Sequence, residues 1–158
     1  MKSVSLAVIV LSLALPPAAP AQPRPDFSGS WTMDMTRSDS AIQTDPIGPT
    51  TVTIEQSALE MRMAIVRDGK TATITYRLDG APSAIPGGTA TCHWDGGSLV
   101  TETVRTIQGQ TVTMNEVRRL SAAGDEMLVD SVLVVQHGYT LKGTQNYGAG
   151  RDVFVRAR

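Results

Sequence analysis

The stretch Phe27-Ser28-Gly29-Ser30-Trp31-Thr32-Met33-Asp34 decides the fold of this chain: it is a strand opened by Gly-x-Trp, and everything downstream keeps the same habit. Runs rich in Val, Ile, Thr and Tyr recur at short spacing, separated by Gly, Asp, Asn, Ser and Pro, the pattern of an all-β domain. The spacing predicts ten strands, near residues 30–35, 50–56, 59–67, 70–78, 89–95, 98–107, 110–120, 126–136, 139–147 and 151–157. No long helical period, coiled-coil heptad or internal repeat competes with that reading.

The turns carry their own chemistry. Asp68-Gly69 separates Met61-Arg62-Met63-Ala64-Ile65 from Thr71-Ala72-Thr73-Ile74-Thr75-Tyr76, and Asp-Gly supplies the positive φ that a type I′ hairpin needs. Asp95-Gly96-Gly97, Gln108-Gly109-Gln110 and Ala123-Gly124-Asp125 punctuate the second half in the same way. Each joins sequence neighbours, so an antiparallel up-and-down meander is expected. Ser38 to Pro49, with Asp45-Pro46 and Gly48-Pro49, is expected to be a crossing loop with at most one helical turn. Ala81 to Gly88, with Pro82 and Pro86, is expected to be the other long connection, of the kind often found at a barrel mouth. Closing the sheet into a barrel hides every edge, and this is the favoured architecture; a two-sheet β-sandwich, which leaves short edges to protect, is the alternative.

Upstream of the opening strand, Lys2 is the only charge before Arg24, an apolar run extends from Val4 to Leu15, and Ala19-Pro20-Ala21 offers small residues to a signal peptidase. Residues 1–21 are therefore expected to be a signal peptide cut after Ala21, leaving residues 22–158 as one domain in the periplasm or secreted. The apolar run falls short of the roughly 20 residues that span a bilayer, so no integral membrane segment is expected in the mature chain. Without Lys2, 13 of the 14 basic residues face 15 acidic ones, a net charge of −2. Such a balance, with basic residues scattered apart from Arg118-Arg119, gives no reason to expect nucleic acid. Cys92 is the only cysteine, so the domain rests on its core without an intrachain disulfide.

Phe27 to Asp34, followed by Ser38-Asp39, resembles the start of the calycin barrels, and in particular a group of exported bacterial lipocalin-like β-barrel proteins. Trp94-Asp95-Gly96-Gly97-Ser98-Leu99-Val100, Arg119-Leu120-Ser121 and Val153-Phe154-Val155-Arg156 fit the same resemblance. It implies that Trp31 packs across the closed end of a barrel against a late arginine, Arg156 first and Arg151 second. A guanidinium on an indole face contributes roughly 0.5–2 kcal/mol. Fatty-acid-binding proteins, in the same group, hold their ligand carboxylate with Arg-x-Tyr on the last strand and cover the barrel with a helical pair. Here Asp152-Val153-Phe154 stands in place of that motif, and Ser38 to Pro49 is too short for the helices, so that subtype is disfavoured.

Chemistry-bearing patterns are sparse. Cys92 and His93 are adjacent, so on a strand they point to opposite faces and cannot share a metal; His137 is expected at a turn. No Gly-x-Ser-x-Gly occurs, and Gly97-Ser98 reads as the end of a turn. No catalytic residue, metal site or cofactor is assigned. Glu102, Glu116 and Asp130 fall on strands, where they face either solvent or a polar lumen. Leu59, Met61, Met63 and Ile65 share one strand face by the two-residue period, and with Met114 they form the candidate ligand-binding set, since thioethers adapt to irregular apolar ligands. That face lines either a lumen or a closed core. The expected function is binding or carrying a small apolar molecule without chemistry. The alternatives are a module contacting an envelope or secreted protein through the two long loops, and an enzyme using lumen carboxylates such as Glu102 and Glu116.

Overall fold

The computed structural model describes residues 23–43, 47–136 and 145–157. The expected leader, Asp45-Pro46 and His137 lie outside them. Ten strands are present: β1 (Gly29–Met33), β2 (Thr50–Gln56), β3 (Glu60–Arg67), β4 (Lys70–Arg77), β5 (Ser83–Ile85), β6 (Gly88–Asp95), β7 (Ser98–Ile107), β8 (Gln110–Leu120), β9 (Glu126–Gln136) and β10 (Gln145–Arg156). They form one antiparallel ladder in the order β4-β3-β2-β1-β10-β9-β8-β7-β6-β5. Every neighbour is consecutive in sequence except β1 and β10, which join the two ends of the chain through Trp31↔Arg156, Thr32↔Val155 and Met33↔Phe154. The sheet thereby curls into a nearly closed barrel, and its two free edges, β4 and β5, meet along a seam. A hydrogen bond from Arg77 N to Ser83 Oγ (2.9 Å) crosses the seam, and Gly80 N donates to Cys92 O (2.9 Å) beside it.

The strand pattern departs from expectation in two places. Ala81 to Gly88 holds the three-residue β5, too short to declare itself by alternation. At the other end, Gln145–Arg156 is one long strand that runs through the glycines Gly148 and Gly150, where the spacing predicts separate strands near 139–147 and 151–157; residues 139–144 lie outside the described residues. Those glycines serve packing. A Cβ on Gly150 would stand 2.0 Å from Asp39 O and 2.5 Å from Ala41 N, so the loop after β1 lies in a groove cut into β10. Asp39 and Arg151 exchange backbone hydrogen bonds there at 2.7 and 2.8 Å. The Asp68-Gly69 hairpin forms as expected, with φ of 50° and 70° at its two residues, and Gln108-Gly109 repeats it at 50° and 77°.

One end of the barrel is sealed by aromatic residues. Trp31 is fully buried, its indole Nε1 donates to Phe27 O (2.9 Å), and Phe27 stacks on Trp94 with centroids 6.1 Å apart. Gln56 clamps the incoming chain: its Oε1 accepts from Phe27 N (3.1 Å) and its Nε2 donates to Pro25 O (2.9 Å). Arg156 covers Trp31 with its guanidinium carbon 4.2 Å from the ring centroid, and donates to Ser28 O and to Gly124 O. Arg156 is thus the partner of Trp31, while Arg151 pairs with Asp130 on the outer face. The geometry explains the Gly of Gly-x-Trp: Gly29 has φ +126°, and a Cβ there would lie 2.8 Å from Arg156 Nη1.

Candidate functional site

Above the aromatic seal the strands diverge around a lumen. Period-two alternation turns Met63 and Ile65 of β3, Ile74 of β4, Met127 of β9 and Phe154 of β10 toward a cavity of about 400 Å³, which reaches the β3–β4 turn at Asp68 and Lys70. A second cavity of about 270 Å³ lies toward Ile107, Val112 and Leu133, and shares Ile42, Arg105 and Met114 with the first. The size is that of small-molecule sites in general.

The candidate residues divide. Met63, Ile65 and Met114 line the larger cavity. Met61 is fully buried in the core outside the cavity lining, and Leu59, one residue before β3, is 72% exposed. Glu102 is exposed and Glu116 is interior: Glu102 stands opposite Asn115 and Glu116 opposite Thr101, so a one-residue offset in the β7–β8 ladder puts the two carboxylates on opposite faces. Asp130 lies outside, between Arg119 and Arg151 at 2.8 and 2.6 Å. Cys92 is buried and His93 exposed, on opposite faces of β6. Among the described residues no group of three or more His, Cys, Asp or Glu side chains is arranged to hold a metal ion, and no helix is long and apolar enough to cross a membrane.

The wall made by β7 and β8 is polar. Arg118, 4% exposed, donates from Nη2 to Glu116 Oε2 (2.6 Å) and from Nη1 to Thr101 Oγ1 (3.1 Å); Cys92 Sγ lies 3.4 Å from the same hydroxyl. Burial opposes the Arg118 charge, but Glu116, with Tyr76 and Cys92 beyond it, holds the guanidinium above its ordinary pKa. A buried pair of this kind is costly to break from one side, about 3–5 kcal/mol, because the survivor is left charged and unpaired. Burial likewise pushes the Tyr76 hydroxyl and the Cys92 thiol up, so both are neutral at physiological pH. Arg105, on the same face of β7 as Thr101 and Thr103, has no ion-pair partner among the described residues, and its buried Nε has no hydrogen bond.

The mouth is crossed by the loop after β1. Ile42 reaches both cavities, Ser40 Oγ donates to Asp152 Oδ2 (3.2 Å), and Gln43 bridges Gly48 N and Thr50 Oγ1. Asp152 is buried, its Oδ1 is unpaired, and burial raises its pKa against the lowering effect of Ser40 and Arg67. The loop expected to face a protein partner is thus folded, over residues 39–42, onto β10 and the lumen.

Arg105, Arg118 and Tyr76 were not singled out from the sequence as site residues. The signal was present as alternation: Met114, Glu116 and Arg118 share one face of β8, and Thr101, Thr103 and Arg105 one face of β7. Arg118-Arg119 does alternate faces, but the inward member is the functional candidate.

No family model and no curated protein matches the chain. Solved structures share the architecture. Lipid binding protein 8 of Caenorhabditis elegans aligns with a TM-score of 0.55 at 10% identity, over 83% of this chain and 95% of its own. A secretory abundant heat soluble protein of Ramazzottius varieornatus gives 0.56 at 11% identity, over 83% and 95%. Fatty-acid-binding protein 1 of Echinococcus granulosus gives 0.57 at 11% identity, over 84% and 98%. At such identities the likeness is one of fold.

Proposed function

We propose that this protein binds a small, largely apolar molecule with an acidic end inside its barrel and performs no chemistry on it, acting outside the cytoplasm after loss of residues 1–21. The observation that carries the reading is the lumen of about 400 Å³, whose lining sets apolar side chains beside Arg105, a cation with no ion pair among the described residues and a buried Nε without a hydrogen bond, while Arg67 and Lys70 add positive charge toward the β3–β4 turn. An uncompensated cation beside apolar walls is matched by an amphiphile bearing one negative charge. The names of two structural relatives, a lipid-binding protein and a fatty-acid-binding protein, support the same class of ligand. The carboxylate-binding Arg-x-Tyr is still absent from β10, so the anchor comes from a different wall. Native mass spectrometry of protein taken from its own host tests the proposal. A retained mass of a lipid-sized acid is expected; repeated absence of any bound molecule, with no uptake of acyl ligands in solution, overturns it.

A further inference from the structure

Of the three arginines that line the larger cavity, Arg67 donates to Thr50 Oγ1 (3.1 Å), and the other two are not equivalent. Arg118 spends one terminal nitrogen on Glu116 and the other on Thr101, so its charge is cancelled within the protein. Arg105 has neither an ion pair nor a hydrogen bond among the described residues, and it borders both cavities. Glu116 is engaged through Oε2 alone; its Oε1 has no hydrogen bond among the described residues, although the side chain is 8% exposed and lines the larger cavity. A carboxylate oxygen accepts only, so what completes it is a donor. Tyr76 enters the same cavity from β4, across the seam, and its hydroxyl is likewise without a hydrogen bond among the described residues. The fields of Arg118, Glu116 and Arg105 all act on it, which places the four groups in one electrostatic neighbourhood.

We infer that the ligand is a long-chain acid carrying a hydroxyl partway along its chain, with the carboxylate at Arg105 and the hydroxyl between Glu116 and Tyr76. The inference rests on the proposed ligand-binding role of the lumen. The hydroxyl donates to Glu116 Oε1 and accepts from the Tyr76 O–H, satisfying both. Position along the chain follows from register: Arg105 stands opposite Val112, and Glu116 opposite Thr101, so the two anchors are four residues apart along the ladder, roughly 13 Å at the backbone. A hydroxyl adjacent to the carboxylate cannot serve both anchors; one in mid-chain does. A plain acid leaves Glu116 unserved, and a plain alcohol leaves Arg105 unserved. Sites built to bond a hydroxyl discriminate against ligands that lack it, because the buried partner is then stranded.

Affinities of the mature protein for stearate, 2-hydroxystearate, 12-hydroxystearate and stearyl alcohol, by calorimetry, test the inference. The 12-hydroxy acid is expected to bind about tenfold tighter than stearate, and the 2-hydroxy acid no tighter than stearate. Tyr76→Phe and Glu116→Gln each shrink the ratio of 12-hydroxystearate to stearate affinity; Tyr76→Phe, which keeps the buried ion pair, decides the matter if Glu116→Gln folds poorly. Arg105→Met weakens all three acids by a larger factor than the alcohol. Equal binding of stearate and 12-hydroxystearate to the wild type overturns the inference and leaves the proposed function standing. Failure of all four to bind overturns both.

Discussion

The guanidinium of Arg156 lies 4.2 Å from the Trp31 ring centroid, and the same two residues face each other in the β1–β10 ladder. One contact therefore helps seal one end of the barrel and joins its first and last strands. Each of its parts depends on another: the missing Cβ of Gly29 admits the guanidinium, and the carbonyls of Ser28 and Gly124 fix its plane.

Arg156→Ala is expected to destabilise the fold by about 3 kcal/mol, since it removes the cation–π contact and strips two carbonyls of their donor. Arg156→Lys recovers only part of that, because an ammonium cannot lie flat on the indole and also reach both carbonyls. Urea unfolding of the two variants, compared at constant m-value, measures the difference; an Ala variant as stable as wild type would show the contact to be incidental.

Gly150→Ala places a methyl carbon 2.0 Å from Asp39 O, and backbone on both sides leaves no soft partner to yield. The loop must lift from β10, at a cost of about 1–3 kcal/mol. Hydrogen exchange reads this locally: the amides of Asp39 and Arg151 lose protection while those in the β7–β8 ladder keep theirs.

Asp152 gives stability a pH dependence of definite sign. Its folded pKa is raised above 3.8, chiefly by burial, so the native state holds the proton more tightly than the unfolded chain. The contribution of Asp152 is most favourable below pH 3.8 and declines as pH rises through the elevated folded value. Asp152→Asn, which retains the acceptor for Ser40, is expected to be more stable than wild type at pH 7 and to lose that advantage toward pH 3.5. Unfolding free energies across that range check it, and an Asn variant less stable at pH 7 would reverse the sign.

Met114 borders both cavities, whereas Leu59 is 72% exposed. Met114→Trp fills lumen volume and is expected to weaken acyl-ligand binding about tenfold or more, whereas Leu59→Ser leaves binding unchanged and shifts stability by less than about 0.5 kcal/mol. Parallel titration of the two variants with stearate separates lumen from surface.

Expression of the full chain in a bacterial host with an export pathway is expected to release a protein beginning at Gln22. Intact mass and N-terminal sequencing of the periplasmic fraction decide it; retention of residues 1–21 in all of the product would refute the cut after Ala21.

Meander and closure were legible because hairpins announce themselves locally. Asp68-Gly69 needs nothing beyond its own two residues to specify a reversal, and Trp31 with Arg156 could be paired from the resemblance to calycin barrels. The failures are those of context. Gly148 and Gly150 look like strand breakers until Asp39 and Ala41 are known to lie against them, and β5 is too short to carry a period. Inward arginines are the harder case. Alternation puts Arg118 on the face of Met114, but a charge beside another charge reads as solvated unless curvature reveals which face is the inside.

The seam between β4 and β5 has a mechanical meaning. Everywhere else around the barrel, parting two strands breaks a ladder of paired backbone groups; along this line, among the described residues, it breaks the bond from Arg77 N to Ser83 Oγ and the neighbouring one from Gly80 N to Cys92 O. The wall thus has a hinge line that is nearly free of main-chain bonding, and Tyr76 and Arg105 stand on opposite sides of it. Parting the wall there breaks fewer main-chain bonds than parting any pair of neighbouring strands in the ladder.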